Sequence, residues 1–270
     1  MPDSGIATLA PVAGLDVTLT EGVLSVTIDR PDSLNALTLP VITGIADALQ
    51  RAATDPAVRV VRLGGAGRGF SSGAGISADD MAGSGGVPPD EIVLEINRLI
   101  RAIAAVPHPV VAVVQGPAAG VGVSIALACD VVLASDAAFF MLAFTKIGLM
   151  PDGGASALIA AAVGRIRAMQ MALLPERLPA TEALSWGLVS AVYPADDFEA
   201  EVDKVIDRLL AGPAVAFAKT KRAINAATLT ELDAALDREY EGQSRLLVSH
   251  DFKEGTTAFQ ERRGPNFTDR

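Results

Sequence analysis

Two glycine-rich segments carry residue types that suit the binding of an anion. Residues 71–75 (Ser-Ser-Gly-Ala-Gly) are five small residues in a row, which lets a ligand approach the backbone closely. Residues 115–124 run from a predicted strand through a tight glycine turn into a predicted helix. Backbone N–H groups in such a bend, or at the start of a helix, are unpaired and attract negative charge. Both segments could instead serve close packing, which also requires small residues.

An acidic residue offers a second kind of chemistry. Asp152 stands between the mostly apolar residues 147–151 and two glycines. This placement makes Asp152 a candidate for chemistry. Aspartate is also a favoured helix N-cap, and a helix is predicted from Ala155 onward. The pattern around Asp152 leaves both roles open.

A hydrolase is a third possibility in the same residues. Residues 69–73 (Gly-Phe-Ser-Ser-Gly) match the G-x-S-x-G pattern of a nucleophile elbow. Ser71, Asp152 and His250 would have the chain order of an α/β-hydrolase triad. That elbow requires its serine directly after a strand, whereas residues 64–69 separate Ser71 from the preceding predicted strand. The spacing therefore disfavours a hydrolase, and both histidines are expected to be structural.

The elements that must position these residues are strands first and helices later. Short alternating runs around Glu21-Gly22 predict a β-hairpin, and the next elements alternate between helix and buried strand, which predicts an α/β fold. From residue 153 onward the sequence predicts helices only. We expect a loose tail at residues 1–13, a core at 14–200 and a helical region at 201–270. The predicted strands are 16–20, 23–29, 58–63, 110–114 and 131–134, and the predicted helices include 37–53, 91–105, 155–163, 167–174, 180–186, 198–210, 214–227, 231–249 and 252–262.

The composition excludes several classes of protein. The 270 residues are 50% hydrophobic, which is ample for a sizeable core, and the net charge of −10 argues against a nucleic-acid or anionic-membrane binder. A single cysteine excludes an internal disulfide and a cysteine-based zinc site. The longest apolar region, 110–129, is too broken for a transmembrane helix, and the first eleven residues lack the pattern of a signal peptide. A cytoplasmic protein without a membrane span is expected.

Together, these segments resemble the crotonase superfamily, the enoyl-CoA hydratase/isomerase family. The resemblance runs from the Arg-Pro-x-x-x-Asn-Ala-Leu motif at residues 30–37, through the two glycine-rich segments and Asp152, to the Phe-Lys-Glu-Gly and Arg-Arg-Gly-Pro-Asn-Phe motifs at 252–255 and 262–267. It implies a spiral of β-β-α units with a helical C-terminal region that forms trimers, often paired into hexamers. It also implies an acyl-CoA thioester substrate, with coenzyme A entering only as part of that substrate, and no metal or redox cofactor.

The resemblance assigns roles to particular residues. The backbone N–H groups of Ala74 and Val121 would form an oxyanion hole for the thioester carbonyl, where each donor is worth about 3 kcal/mol. Coenzyme A would lie along residues 72–77, and residues 78–89 would cover the acyl pocket. Arg30 and Arg68 are candidate phosphate partners, although either could be an ordinary surface arginine. The full set of expected substrate-binding residues is Arg30, Ala36, Arg68, Ser72, Ala74, Gly75, Ile76, Gly120, Val121, Ser124 and Phe144.

Two departures from the family pattern bear on the reaction. The glutamates that activate water in hydratases of this family would fall at Ser124 and Phe144, and neither position carries a carboxylate. Asp152 matches the carboxylate that moves the double bond in isomerase branches, including ring-opening isomerases of aromatic-acid degradation. An isomerase with Asp152 as its general acid/base is therefore expected. An enoyl-CoA hydratase, or an acyl-CoA-binding protein without turnover, remains as an alternative.

Overall fold

The large sheet of the protein is mostly parallel. The computed structural model describes Ile6 and residues 9–75 and 88–269. Six strands pair in the order β1-β2-β3-β4-β6-β9, where β1 and β2 are antiparallel and all later pairs are parallel. The predicted hairpin and the α/β class are thus confirmed. The strands are β1 Leu15–Thr20, β2 Val23–Ile28, β3 Val60–Gly65, β4 Val110–Val114, β6 Val131–Ser135 and β9 Ala191–Tyr193.

A second, smaller sheet pairs short strands from successive repeats of the chain. It contains β5 Ala118–Ala119, β7 Phe139–Met141 and β8 Leu178–Pro179. Single bridges join Leu37 to Ala74 and Ser71 to Ala118 and so continue this pairing toward the N-terminus. Each turn of the chain therefore places one strand in the large sheet and a short extended piece in the small sheet before a helix follows, which is a spiral of β-β-α units.

The helices cover the sheets with their apolar faces. The first two pack against each other, and β4 is buried along its whole length. In the described residues the helices are α1 Leu39–Ala52, α2 Pro89–Ala105, α3 Val121–Ala128, α4 Ala155–Leu173, α5 Ala180–Trp186, α6 Phe198–Leu210, α7 Ala214–Thr228, α8 Leu232–Leu246 and α9 His250–Gln260, with 3-10 turns at Pro31–Ser33 and Ala143–Ile147.

The expectation of helices alone after residue 153 is wrong. The strands β8 and β9 lie in this part of the chain, and β9 extends the large sheet by pairing with β6. Two or three residues are too few for an alternating pattern to be visible in the sequence. The two helices predicted at 155–163 and 167–174 are both present within α4, and the break between them is confirmed at Gly164, where φ is +78° and ψ is 163°. The predicted domain limits stay a prediction.

Among the described residues, one helical stretch has the length and composition to cross a bilayer. It is α4, and only 17% of its most apolar 18-residue window is buried within the chain. Arg165 and Arg167 interrupt the apolar run, and charged residues are rare inside membrane spans. Single helices of this kind also occur in proteins without membrane segments, so α4 alone does not indicate a span.

Candidate active site

The two glycine-rich segments lie side by side in the structure. A Cβ atom added at Gly73 would stand 2.9 Å from the carbonyl oxygen of Ala119 and 3.4 Å from the Cα of Gly120. Both glycines have positive φ, +92° at Gly73 and +53° at Gly120. A side chain at Gly73 would both strain the backbone and push the two segments apart. The small residues are therefore needed for contact between the two backbones.

The N–H groups of Ala74 and Val121, predicted to form an oxyanion hole, are free of the hydrogen bonds that hold their segments. Leu37 pairs with Gly73 and Gly75, donating to the carbonyl of the first and accepting from the N–H of the second, at 2.8 and 2.9 Å. Because successive peptide groups of an extended segment point in opposite directions, the N–H of Ala74 points away from Leu37. Val121 is the first residue of α3, where N–H groups have no partner inside the helix. Neither N–H has an acceptor among the described residues, so both are available to a bound ligand.

Asp152 lies in a turn that packs on the first turn of α3. A Cβ atom at Gly153 would be 3.0 Å from the Cβ of Ser124 and 3.1 Å from a methyl group of Val121. The Ser124 hydroxyl donates a hydrogen bond of 2.7 Å to the main-chain oxygen of Asp152. The Asp152 side chain is 5% exposed. The second residue of the predicted oxyanion hole and the predicted base are thus neighbours.

The two carboxylate oxygens of Asp152 differ in their surroundings. Oδ2 accepts a hydrogen bond of 2.8 Å from Nε2 of Gln243 on α8. Oδ1 is buried and has no hydrogen-bond partner among the described residues. Burial raises the pKa of Asp152 to about 7, with the nearby charge of Glu239 adding to the rise and the Gln243 bond opposing it. A carboxyl group with this pKa can both take up and return a proton near neutral pH.

The side chain of Asp152 is not the N-cap of α4. Glu239 of α8 has that task, because its carboxylate accepts hydrogen bonds of 2.6 and 2.9 Å from the N–H groups of Gly154 and Ser156. The Ser156 hydroxyl donates to the same carboxylate. Burial raises the pKa of Glu239, and these hydrogen bonds oppose the rise. The cap predicted as an alternative for Asp152 comes from a residue more than 80 positions later in the chain.

Sequence reasoning missed both Glu239 and Gln243. They stand four residues apart on α8, on the same face as the buried Ala235 and Leu236. Two polar residues that continue an otherwise apolar helical stripe are the signal that could have found them, since a buried polar side chain requires a specific partner. That partner, the turn before α4, cannot be read from the spacing.

The remaining predicted site residues fall into three groups. Ser124 and Phe144 are buried at the site, and the end of the Phe144 ring is 4.0 Å from the position of a Cβ on Gly120. The guanidinium of Arg30 donates to the carbonyl of Ala36, and the hydroxyl of Ser72 donates to the carbonyl of Ser33 at 3.0 Å. Arg68 is exposed. Ile76 and nearly all of the predicted cover at 78–89 lie outside the described residues.

The alternative hydrolase triad does not assemble. The Ser71 hydroxyl is buried and donates to the carbonyl of Asn35 at 2.9 Å. The imidazole of His250 lies at the surface beside Asp251 and Thr268. His250, Asp251 and Asp269 are the described residues whose ligand atoms lie close enough to hold a cation together, and they are bonded to one another rather than to Asp152.

Comparison with known proteins identifies the family. The family model for enoyl-CoA hydratase/isomerase matches residues 18–270. The chain belongs to the enoyl-CoA hydratase/isomerase family. An enoyl-CoA hydratase structure from Mycobacterium avium subsp. paratuberculosis is 81% identical, with a TM-score of 0.91 over 96% of this chain and 100% of that chain. This likeness confirms the predicted crotonase fold, and membership of the family supports an enzyme that processes acyl-CoA substrates.

The relatives in this family carry both activities in their names. A "Probable enoyl-CoA hydratase" of Rhodobacter capsulatus is 41% identical over 93% of this chain and 96% of its own length. A 1,2-epoxyphenylacetyl-CoA isomerase of Escherichia coli is 35% identical over 92% of this chain and 95% of its own length. Similarity therefore establishes membership of the enoyl-CoA hydratase/isomerase family but does not distinguish the two reactions, so the residues of the site must be used to choose between them.

Proposed function

We propose that this member of the family is an enoyl-CoA double-bond isomerase with Asp152 as its general acid/base. The observation that carries the proposal is the buried Asp152 carboxyl, whose Oδ1 has no partner among the described residues, in a turn whose next residue, Gly153, packs against Val121. A buried carboxylate oxygen without a partner is costly. A substrate carbon acid that takes up or gives back a proton at this oxygen would explain why it is left open.

In this mechanism the main chain stabilises charge and Asp152 moves the proton. The thioester oxygen accepts hydrogen bonds from the N–H groups of Ala74 and Val121, which makes the carbons conjugated with the thioester more acidic. Asp152 removes a proton from the α- or γ-carbon, and the electron pair is delocalised onto the thioester oxygen. The protonated Asp152 then returns the proton to the other carbon, so the double bond moves and no atom is gained or lost. Coenzyme A takes part only as a piece of the substrate, and no separate cofactor is involved.

Hydration is the second candidate, and the names of two similar proteins favour it. Addition of water requires a group that activates the water and a group that protonates the α-carbon. At the two positions where family hydratases carry glutamates, this chain has the Ser124 hydroxyl, which is bonded to the main chain of Asp152, and the phenyl ring of Phe144. Asp152 alone would have to perform both tasks, which is why isomerisation is the better-supported reaction. The isomerase name of the E. coli relative supports the same choice.

The deciding experiment supplies 3-enoyl-CoA and 2-enoyl-CoA separately and follows conjugation and hydration. We expect the wild-type protein to convert the 3-enoyl substrate, and Asp152→Asn to lower that rate by about 10²- to 10⁴-fold. Binding of butyryl-CoA, which has no double bond to move, should be nearly unchanged in the variant. Hydration that survives in Asp152→Asn contradicts the proposal, and tight thioester binding without conversion of either substrate identifies a binding protein.

The pH dependence follows from the same group. Asp152 must be ionised to accept a proton, and its pKa is raised to about 7. We therefore expect kcat/KM for isomerisation to rise with pH up to about 7 and then to level off. Assembly into trimers or hexamers and a cytoplasmic location are further parts of the proposal, and light scattering of the purified protein would measure the first.

A further inference from the structure

We propose that Gln243 is a positioning residue for the base: its side-chain amide holds Oδ2 of Asp152 and thereby keeps Oδ1 turned to the reacting carbons. This inference rests on the proposed isomerase function. The contact joins helix α8 in the C-terminal part of the chain to the turn that carries the base. Gln243 itself is 1% exposed.

The orientation of the Gln243 amide is fixed by the main chain. Its Oε1 accepts from the N–H of Met150 at 3.2 Å, and its Nε2 donates to the carbonyl of the same residue at 3.0 Å. These two bonds allow only one placement of the amide oxygen and nitrogen. The second N–H on Nε2 is therefore available to Asp152, and a carboxylate oxygen is the acceptor that it meets.

Close packing brings Gln243 to this position. A Cβ atom on the neighbouring Gly242 would stand 2.3 Å from the sulfur of Met150. The absence of a side chain at 242 lets the Met150 side chain lie directly against α8, next to Gln243. Glu239 lies four residues before Gln243 on α8. Its carboxylate accepts hydrogen bonds from Gly154 and Ser156, at the other end of the segment that carries Asp152. The two residues of α8 thus hold the segment before and after Asp152.

A neutral donor suits a base that must also release its proton. A lysine or arginine at this position would stabilise the carboxylate strongly and make it a weak base, whereas an apolar residue would leave both oxygens free to rotate. Among the described residues, the charged group that acts on Asp152 is Glu239, which lies on α8 like Gln243. The Ser124 hydroxyl of α3 donates only to the main chain of Asp152. The apolar Ile96 of α2 packs beside the next residue, Gly153. Gln243 is the hydrogen-bond donor that offsets burial in this setting.

The test compares Gln243→Leu and Gln243→Glu with Tyr240→Phe. Tyr240 lies on the same helix and fastens it to Asp90 of α2 with a hydrogen bond of 3.0 Å, without contacting Asp152. In Gln243→Leu, loss of the donor should raise the pKa of Asp152. The acid limb of the pH profile, where kcat/KM rises with pH, should therefore move to higher pH by about one unit. The plateau of kcat should fall about tenfold with KM within about threefold, because the carboxylate is less well oriented. Gln243→Glu should move the limb further, since a like charge is added. Tyr240→Phe should leave the limb in place.

A second measurement makes the inference independent of catalysis. The carboxyl stretch of Asp152 can be titrated by infrared difference spectroscopy against Asp152→Asn, which reports the pKa even if neither enoyl-CoA is converted. An unchanged pKa and an unchanged acid limb in Gln243→Leu would overturn the proposal and leave Gln243 as a structural fastener, as would an equal shift in Tyr240→Phe. Absence of isomerisation in the wild-type protein would contradict the proposed function instead. If Gln243→Leu does not fold, the same infrared titration is carried out on Gln243→Glu, where the larger shift is expected.

Discussion

The two halves of the candidate site differ in the groups that form them: main-chain groups in one half and side chains in the other. The proposed oxyanion side, residues 71–75 with Gly120 and Val121, would use main-chain N–H groups, and backbone pairing with neighbouring segments is the main support of these residues. The base side, the turn around Asp152, is held by the side chains of Glu239 and Gln243. The first half is made from segments that are adjacent in the spiral, whereas the second depends on a helix about 90 residues further along the chain.

This difference indicates where a family of this kind can change its reaction. A main-chain donor does not depend on the identity of its own side chain, so valine at position 121 serves as well as another residue. A side-chain base is removed by one substitution, and the residues that hold it are also side chains. We expect substitutions to damage the oxyanion side by displacing backbone and the base side by changing charge and hydrogen bonding.

On the oxyanion side the largest effect is expected from Gly73→Ala. The new methyl group would stand 2.9 Å from the carbonyl oxygen of Ala119 and separate the two segments. Loss of one oxyanion donor typically lowers kcat by about 10²- to 10³-fold, and a loss of that size is expected here. Steady-state kinetics on 3-enoyl-CoA measures it.

Gly187→Ala is the matched control for that variant. Gly187 has a φ of +82°, similar to Gly73, but no atom lies within 4 Å of its added Cβ. It should bear a similar conformational cost of about 1 kcal/mol and keep its activity within about twofold. Wild-type activity in Gly73→Ala would show that contact between the two backbones is not required.

Asp152→Asn should gain stability as it loses activity. Because the pKa of Asp152 is raised from 3.8 to about 7 in the folded chain, its ionisation favours unfolding. The stability that the protonated group contributes is complete below pH 3.8 and is lost as the pH rises toward 7. The variant should therefore exceed the wild type by about 2 to 4 kcal/mol at pH 8, with a gap that grows from pH 4 to pH 7. Urea unfolding at several pH values would measure the gap, and a constant gap would contradict it.

Glu239→Gln tests the side-chain support of the turn. An amide oxygen cannot replace all the bonds that the carboxylate accepts from Gly154 and Ser156, so the free energy of unfolding should fall by about 1 to 3 kcal/mol. The acid limb of the activity profile should move to lower pH, because the like charge that raises the pKa of Asp152 is removed. Asp233→Asn removes the same charge from the exposed side of α8 and should change neither quantity. An equal loss of stability in both variants would contradict the capping role.

The smallest effect is expected from Ser71→Ala. The hydroxyl donates to Asn35 and accepts from the N–H of Gly73 at 3.1 Å, so its removal should cost about 1 kcal/mol of stability. Activity should stay within about threefold of the wild type, because the oxyanion side uses no side chain. A loss of activity of 10²-fold or more in Ser71→Ala would contradict this expectation and support Ser71 as a nucleophile.

Local chemistry in the sequence predicted much of the fold. The strand β4 and the helices α5 and α6 have the predicted bounds, because each is a clear apolar run or helical pattern that turn residues delimit. The sequence patterns missed β8 and β9, which are strands only because their neighbours in the sheets pair with them. A two- or three-residue strand has no pattern of its own.

The residue types and their order by themselves determined the α/β class, and they marked two glycine-rich segments and Asp152 as candidates for chemistry. The tertiary structure alone decided that Asp152 is a buried group, with one oxygen that no described residue binds, rather than a helix cap. That decision depends on Glu239 and Gln243, which reach the turn because α8 packs against it through Gly242. A pKa is set by everything around a group in space, and sequence spacing describes only its neighbours along the chain.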